Sequence, residues 1–377
     1  MKDKLELSVV LPCRNEEKSL DFCIKQIKKV FEENKINGEI IVSDSSSDKS
    51  PEIAKRNKVK LVKHDKEGYG HAYLEGFKEA RGRYIFMADS DGSYDFNEIL
   101  RFLKELREGN DFVIGDRFKG KMEKDSMPFS HRYIGNPILS GMLRAFFSSN
   151  VHDVHCGMRA ISKEALDKLN LRTTGMEFAS EMVIKAIKKK LKIKQIPINY
   201  YKRKGKSKLN PFSDAWKHMR FMLLYSPLFL FFIPGILLFM IGLLSMLWFY
   251  LGSVHLFTFT FQLHPMFISS LLTLVGYQLI VFAAFAKSYA INHLGEESRA
   301  MQKLYKLVTI ERASIAGIIL GLIGIAIYLY ILMKWVKSGF GSLNEVKNSI
   351  LALTLIVLGI QTIFSSFMLS ILGIKEK

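Results

Sequence analysis

Residues 221–286 contain no Asp, Glu, Lys or Arg. A run of 66 uncharged positions is too long for one buried core helix. It is long enough for two bilayer crossings, each taking about 20 apolar residues. Two further charge-free runs follow, 313–333 between Arg312 and Lys334 and 348–374 between Lys347 and Lys375. Together they predict four transmembrane helices near 228–252, 265–286, 313–333 and 349–373. Lys and Arg in the short loops set the orientation. The 253–264 loop has none and is expected outside; the 287–312 loop carries Lys287, Arg299, Lys303, Lys306 and Arg312 and is expected inside. Three cations in 334–348 pull mildly the other way, yet an even number of spans keeps both termini inside. The opening run LELSVVLP is cut off by Pro12 and Arg14 and does not resemble a signal peptide. The first 226 residues are therefore expected in the cytoplasm of a multi-pass integral membrane protein. Cys13, Cys23 and Cys156 are odd in number and unpatterned, which fits a reducing compartment.

Ahead of the membrane part, short apolar runs alternate with amphipathic ones. LSVVLP (7–12), EIIVSD (39–44), VKLVK (59–63), RYIFMAD (83–89) and DFVIG (111–115) read as strands. EKSLDFCIKQIKKVFEEN, HAYLEGFKEAR and FNEILRFLKELREG between them read as helices. Near-continuous apolar strands separated by helices predict a mostly parallel, Rossmann-like α/β sheet. Ligands of such sheets bind beyond the carboxyl ends of the strands. Those ends hold Pro12, Arg14 and Glu16, then Asp44 and Asp48, then Asp89 and Asp91. The polar residues gather where a ligand belongs. The expected organisation is a catalytic domain over 1–209, a juxtamembrane interfacial segment over 210–227 and a membrane domain over 228–377.

Asp89 and Asp91 end an apolar strand in a chain of formal net charge +18. Close carboxylates repel, so this spacing points to a hard divalent ion shared with a diphosphate. EGYGHAYLEG (67–76) offers Gly68 and Gly70, but Tyr73 holds the third glycine position of a dinucleotide fingerprint. A glycine turn approaching a nucleotide sugar and a plain loop both remain open there. HDVHC (152–156) lacks the spacing of a zinc site and reads as a structural loop, with Asp153 available to a sugar pocket. YKRKGKSKL (201–209) sets Lys202, Arg203, Lys204, Lys206 and Lys208 just before the first span. Two readings overlap: a patch on anionic lipid, and a shaped loop that grips the phosphate of a lipid substrate. Charge placed at the membrane surface points away from nucleic acid.

These motifs resemble family 2 of the glycosyltransferases, and within it the polyprenyl-phosphate sugar synthases. The resemblance runs over residues 7–226. The first-strand Pro-x-x-Asn-Glu motif falls on Pro12, Asn15 and Glu16, the nucleoside-holding acidic residues on Asp44 and Asp48, and the Asp-x-Asp motif on Asp89 and Asp91. GDRF supplies Arg117, SHRYIGN supplies Arg132, HCGMRAISKEAL matches the stretch after the sheet, and GKSKL matches the acceptor loop at Ser207 and Lys208. Ser93 stands where many members carry Gln, and Lys204 stands at an acceptor-loop Arg with Arg203 beside it. The Gln-x-x-Arg-Trp motif of processive polysaccharide synthases is absent.

The resemblance implies a GT-A type domain followed by helical membrane anchors, and an inverting, metal-dependent transfer of one hexose. The donor would be a nucleotide sugar, UDP-glucose before GDP-mannose, and the acceptor a dolichyl or other polyprenyl phosphate in the bilayer. Pro12, Arg14, Glu16, Asp44 and Asp48 would bind the donor nucleotide. Asp89 and Asp91 would hold Mg²⁺ or Mn²⁺; Arg117, Arg132, Arg203, Lys204, Ser207 and Lys208 would hold the acceptor phosphate, with Arg117 and Arg132 also serving catalysis. Other readings are a non-catalytic carrier-binding or flipping component, and a transferase acting on protein or glycan. A phosphate monoester has a second pKa of about 6 and is already ionised at neutral pH. No carboxylate base is therefore expected at Asp153, Glu177 or Glu181.

Overall fold

The computed structural model describes residues 5–205, 211–252, 254–256, 259–261, 263–294 and 309–373. Ser207 and Lys208 lie outside the described residues. The chain divides into two compact units, Met1–Tyr225 and Ser226–Lys377.

The first unit is built on a seven-stranded sheet of order β3-β2-β1-β4-β6-β5-β7. Its strands are β1 Leu7–Cys13, β2 Gly38–Asp44, β3 Lys60–Lys63, β4 Tyr84–Met87, β5 Phe112–Asp116, β6 Arg159–Ser162 and β7 Ile193–Pro197. β1, β4 and β5 lie where apolar sequence predicts strands, and their residues are almost all buried. Parallel pairing joins β1 to β2 and β4, β2 to β3, and β5 to β7. The sheet is mixed, because β6 runs antiparallel to both β4 and β5. β6 and β7 escape a sequence reading: RAIS has four residues and a central charge nearby, and IKQIP alternates too weakly.

Helices cover the sheet. α1 (Leu20–Glu33) buries Leu20, Cys23, Ile24, Ile27 and Val30, a helical period that lays one stripe on the strands. α2 spans Ser50–Arg56, α3 Tyr69–Lys78, α4 Ile99–Arg107, α5 Asn136–Phe147, α6 Lys163–Leu169 and α7 Phe178–Lys188. α4 packs Phe102 edge-on against Phe86 of β4, with ring centroids 5.4 Å apart. Each such fully buried side chain contributes about 1.5–3 kcal/mol. α8 (Pro211–Leu224) packs on α5 and α7 and buries His218 and Met222, so most of segment 210–227 joins this unit. Trp216 and Leu224 of α8 stay exposed.

Register does the placing. Cys13 at the end of β1 pairs with Asp44 at the end of β2, and Met87 at the end of β4 pairs with Arg159 at the start of β6. The loops that follow β1, β2 and β4 therefore emerge on one edge. Beside them Arg159 is buried, donating to the carbonyls of Cys156, Ala179 and Val154 at 2.8, 2.9 and 2.7 Å.

Among the described residues of the second unit, four helices are long and apolar enough to cross a membrane: Leu228–Leu251, His264–Ile291, Ile310–Lys337 and Val346–Gly373. Polar pairs join the second and fourth of them, Ser270 with Thr354 at 2.6 Å and Tyr277 with Thr362 at 2.6 Å. Hydrogen bonds between spanning helices fix which faces meet.

Arg159→Met keeps side-chain length but strands three buried carbonyls. We predict a loss of roughly 3–5 kcal/mol for the first unit, on the scale of breaking a buried charged network. Urea unfolding followed by far-UV dichroism would measure it; an unchanged midpoint would show that the guanidinium is dispensable.

Candidate active site

The edge after β1 and β2 is tied together by Asn15. This residue takes the left-handed conformation (φ 55°), which Asn tolerates better than most residues. Its Oδ1 accepts from Ser47 N at 2.8 Å and Asp48 N at 3.3 Å, while its own N–H donates to Ser46 Oγ at 2.7 Å. Asp48 accepts from Ser50 N at 2.9 Å and Glu17 N at 3.1 Å, so it braces the start of α2. Arg14 pairs with Glu67 at 2.6 Å on the exposed surface. The Pro12 carbonyl accepts from Ser90 Oγ at 2.6 Å, linking the β1 and β4 ends, and Glu16 lies beside Gly205. Asp44 differs from all of these. It is fully buried, and neither carboxylate oxygen has a hydrogen-bond partner among the described residues.

Asp89 and Asp91 follow β4. Asp91 is buried; its Oδ1 accepts from Ser93 N at 2.9 Å and Ser93 Oγ at 2.5 Å, and its Oδ2 pairs with Arg203. Ser93 thus orients Asp91. Asp89 packs against Gly157, where a Cβ would lie 2.7 Å from Oδ2, so the close approach requires glycine. Burial and the neighbouring Asp91 charge push the Asp89 carboxyl up, with Arg203, Arg117 and a Tyr69 hydrogen bond opposing. One guanidinium against two desolvated carboxylates leaves negative charge uncompensated. A hard divalent cation fits that donor set.

The predicted cations divide. Arg203 sits on Asp91, and Lys204 donates its backbone N–H to the Asp91 carbonyl at 2.9 Å with its ammonium 3.7 Å from the Phe22 ring centroid. Arg117 is buried in a fork with Asp153, its Nε 2.7 Å from Oδ2 and an Nη 2.8 Å from Oδ1, and lies over the Tyr200 ring. Its guanidinium is committed internally, while Asp89 feels its charge. Arg132 is set apart, in the turn His131–Gly135, 5.3 Å from the Tyr133 ring centroid. Around it Phe129, Tyr133, Ile134 and Ile138 are exposed, Phe129 by 71%.

Three features were beyond sequence reasoning. Gly68 and Gly70 face the protein: a Cβ on either would lie 2.3 Å from the carbonyl oxygen of Thr174 or Thr173. The glycine turn packs on the 173–175 backbone, with Gly70 N donating to the Gly175 carbonyl at 3.2 Å. Glu181, fully buried, anchors that backbone by accepting from Arg172 N, Thr173 N and Thr173 Oγ1, and pairs with Lys185 at 2.6 Å. Alanine at Glu181 or Asp153 would strand buried partners, about 3–5 kcal/mol each. The third is a histidine pair. His155 and His218 stand 4.4 Å apart between ring centroids, joined through Ser180 Oγ, and line a cavity of about 350 Å³ with Arg117, Tyr200 and Arg203. Only the closeness of HDVHC to the basic loop in the fold connects these residues, and their sequence separation hides it.

Residues 8–169 match the family model "Glycosyl transferase family 2", and 284–373 match "Glycosyltransferase family 2 C-terminal transmembrane region". The low-salt glycan biosynthesis hexosyltransferase Agl6 of Haloferax volcanii is 39% identical over 368 residues, covering 97% of this chain and 89% of that protein. The dolichyl-phosphate hexose transferase of the same organism is 28% identical over 211 residues, 56% of this chain and 89% of its own length. Among solved structures, glucosyl-3-phosphoglycerate synthase from Mycobacterium tuberculosis, in complex with Mn²⁺, UDP-glucose and phosphoglyceric acid, is similar at 19% identity. Its TM-score is 0.48, over 58% of this chain and 78% of that one.

Burial pushes the His218 imidazole down to about 4, with Asp214 opposing, and pushes His155 well below its usual value of 6.5. The unfolded chain then binds more protons than the folded one between about pH 4 and 6.5. Stability is therefore full above the unfolded value and falls as the medium is acidified towards the folded one. His218 alone should account for on the order of 3 kcal/mol across that window. Thermal unfolding of the full chain in detergent would follow the decline, and His218→Gln should flatten it. An equal slope in both proteins would remove His218 from the account.

Proposed function

The chain belongs to glycosyltransferase family 2, and on that footing we propose that it transfers one hexose from a nucleotide sugar to a polyprenyl phosphate. UDP-glucose is the favoured donor and GDP-mannose the next. The GT-A type domain would lie in the cytoplasm, with both termini inside, and the spans would keep the lipid tail beside the reacting phosphate.

One observation carries the acceptor assignment. Arg132 stands in the turn His131–Gly135, whose exposed side chains are Tyr133 and Ile134, with the exposed Phe129 and Ile138 on either side of it in sequence. A guanidinium framed by such residues suits a phosphate at a lipid surface: the rings enter the interface, and the planar fork meets phosphate oxygens. The exposed basic residues Lys202 and Lys204 add charge of the same sign, and Lys202 lines one cavity with His131 and Gly135 of that turn. The unpartnered, buried oxygens of Asp44 suit the N–H and O–H donors of a nucleoside. Asp89 and Asp91 would hold Mg²⁺ or Mn²⁺, which offsets the charge growing on the leaving nucleoside diphosphate. With Asp153 and Glu181 engaged by internal partners, neither is a free base, as an already ionised phosphate acceptor requires.

The assay is transfer from UDP- and GDP-sugars to polyprenyl phosphate, with the lipid product detected by mass spectrometry. Asp91→Ala should abolish transfer, EDTA should do the same to the wild type, and Mg²⁺ or Mn²⁺ should restore it; full activity in chelator would remove the metal. Arg132→Ala should raise the KM for polyprenyl phosphate by about 10- to 150-fold, the loss of one charge-assisted hydrogen bond. The KM for nucleotide sugar should hold steady. A parallel rise in both constants would reassign Arg132 to the donor or the fold.

A further inference from the structure

The cavity beside the carboxylate pair holds a histidine pair that the transfer chemistry leaves unexplained. Arg203 lines it and also holds Asp91, so the cavity begins one side chain from the β4 carboxylates. Its lining also includes Arg117, Lys202, His155, His218, Met176 and Tyr200. About 350 Å³ is within the size range of small-molecule sites.

Ser180 Oγ lies 2.8 Å from His218 Nδ1 and 3.3 Å from His155 Nε2. A hydroxyl has one proton, so it donates to one imidazole and accepts from the other. If it donates to His218, His155 carries its proton on Nε2 and Nδ1 is left as an acceptor. If it donates to His155, Nδ1 carries the proton and is left as a donor. In both arrangements His155 Nδ1 is shielded from solvent and has no partner among the described residues. A buried polar atom left this way costs about 1–3 kcal/mol. A hydroxyl both donates and accepts, whereas an ionised phosphate oxygen only accepts and would suit one arrangement alone.

We propose that His155, oriented through Ser180 by His218, is a sugar-reading residue whose ring nitrogen hydrogen-bonds a hydroxyl of the transferred hexose. This rests on the reading of the chain as a nucleotide-sugar transferase. It adds a division of labour: carboxylates and cations for the diphosphate, neutral imidazole for the sugar. His155 then bears on which hexose is accepted, since epimers differ in where a hydroxyl points.

The experiment compares affinities for UDP, UDP-glucose, UDP-galactose, GDP and GDP-mannose by calorimetry, on the full chain in nanodiscs with Mn²⁺. For the sugar nucleotide that wild type prefers, His155→Ala should weaken binding by about 2- to 12-fold, one neutral hydrogen bond. Binding of the matching nucleoside diphosphate should not change. Discrimination between the glucose and galactose donors should narrow, and His155→Gln, which keeps a donor and an acceptor, should recover part of both losses. Should the Ala variant fail to fold, the Gln variant carries the same comparison through an altered epimer preference. Equal weakening of nucleotide and nucleotide sugar, or no weakening of either, would overturn the assignment. A wild type that binds sugar nucleotides yet forms no lipid-linked product would overturn the acceptor reading alone and leave the His155 result standing. Failure to bind any of the five would overturn both.

Discussion

Two carboxylates two residues apart at the end of a buried strand are costly unless positive charge meets them. Much of the first unit answers that cost. Ser93 donates twice to Asp91, Arg203 closes on its other oxygen, and Arg117 lends its field to Asp89 from inside a fork with Asp153. Gly157, delivered by the antiparallel strand β6, leaves room for the Asp89 carboxylate. The sheet order follows the same requirement: β6 enters between β4 and β5 and brings the 152–158 loop to the carboxyl edge.

Sequence carried the parts of this architecture that depend on local pattern. Apolar strands ending in Pro12, Asp44 and Asp89 announce a nucleotide-binding edge, and charge-free runs announce four spans, because each signal is written in consecutive residues. What stayed hidden depends on contacts between distant segments. The family resemblance assigns both Arg117 and Arg203 to the acceptor phosphate. In the fold one is locked to Asp153, 36 positions away, and the other to Asp91, 112 positions away. Nothing local separates a cation that waits for a ligand from one with an internal partner. Gly68 and Gly70 posed the same difficulty, since a glycine opens space without saying what fills it.

Some polar residues at this edge also hold the scaffold together. Asp48 braces the start of α2 and Asn15 clasps the loop after β2, while Asp44 is a buried acidic group at that edge whose oxygens lack partners among the described residues. Scaffold and ligand residues share types because both tasks need oriented hydrogen bonds. Burial combined with an unsatisfied atom distinguishes them. Asp44 and His155 meet that criterion and are the ones the proposals above assign to ligands, while Asp153 and Glu181 have internal partners.

The chemistry proposed for this site also accounts for the sign of its surroundings. A phosphate acceptor arrives ionised, so its attack on a sugar diphosphate sets two anions against each other. The barrier is lowered by fields that weaken this repulsion more than by a proton acceptor. A surplus of Lys and Arg around a carboxylate-held cation is what that problem calls for, and a hydroxyl acceptor would call for a free carboxylate instead. Here the buried carboxylates Asp153 and Glu181 are each held by cations or backbone N–H groups, while Lys202 is exposed and the half-buried Arg132 lies against the Tyr133 ring in a turn with apolar surface. The distribution of charge is thus the one that the proposed phosphate acceptor calls for.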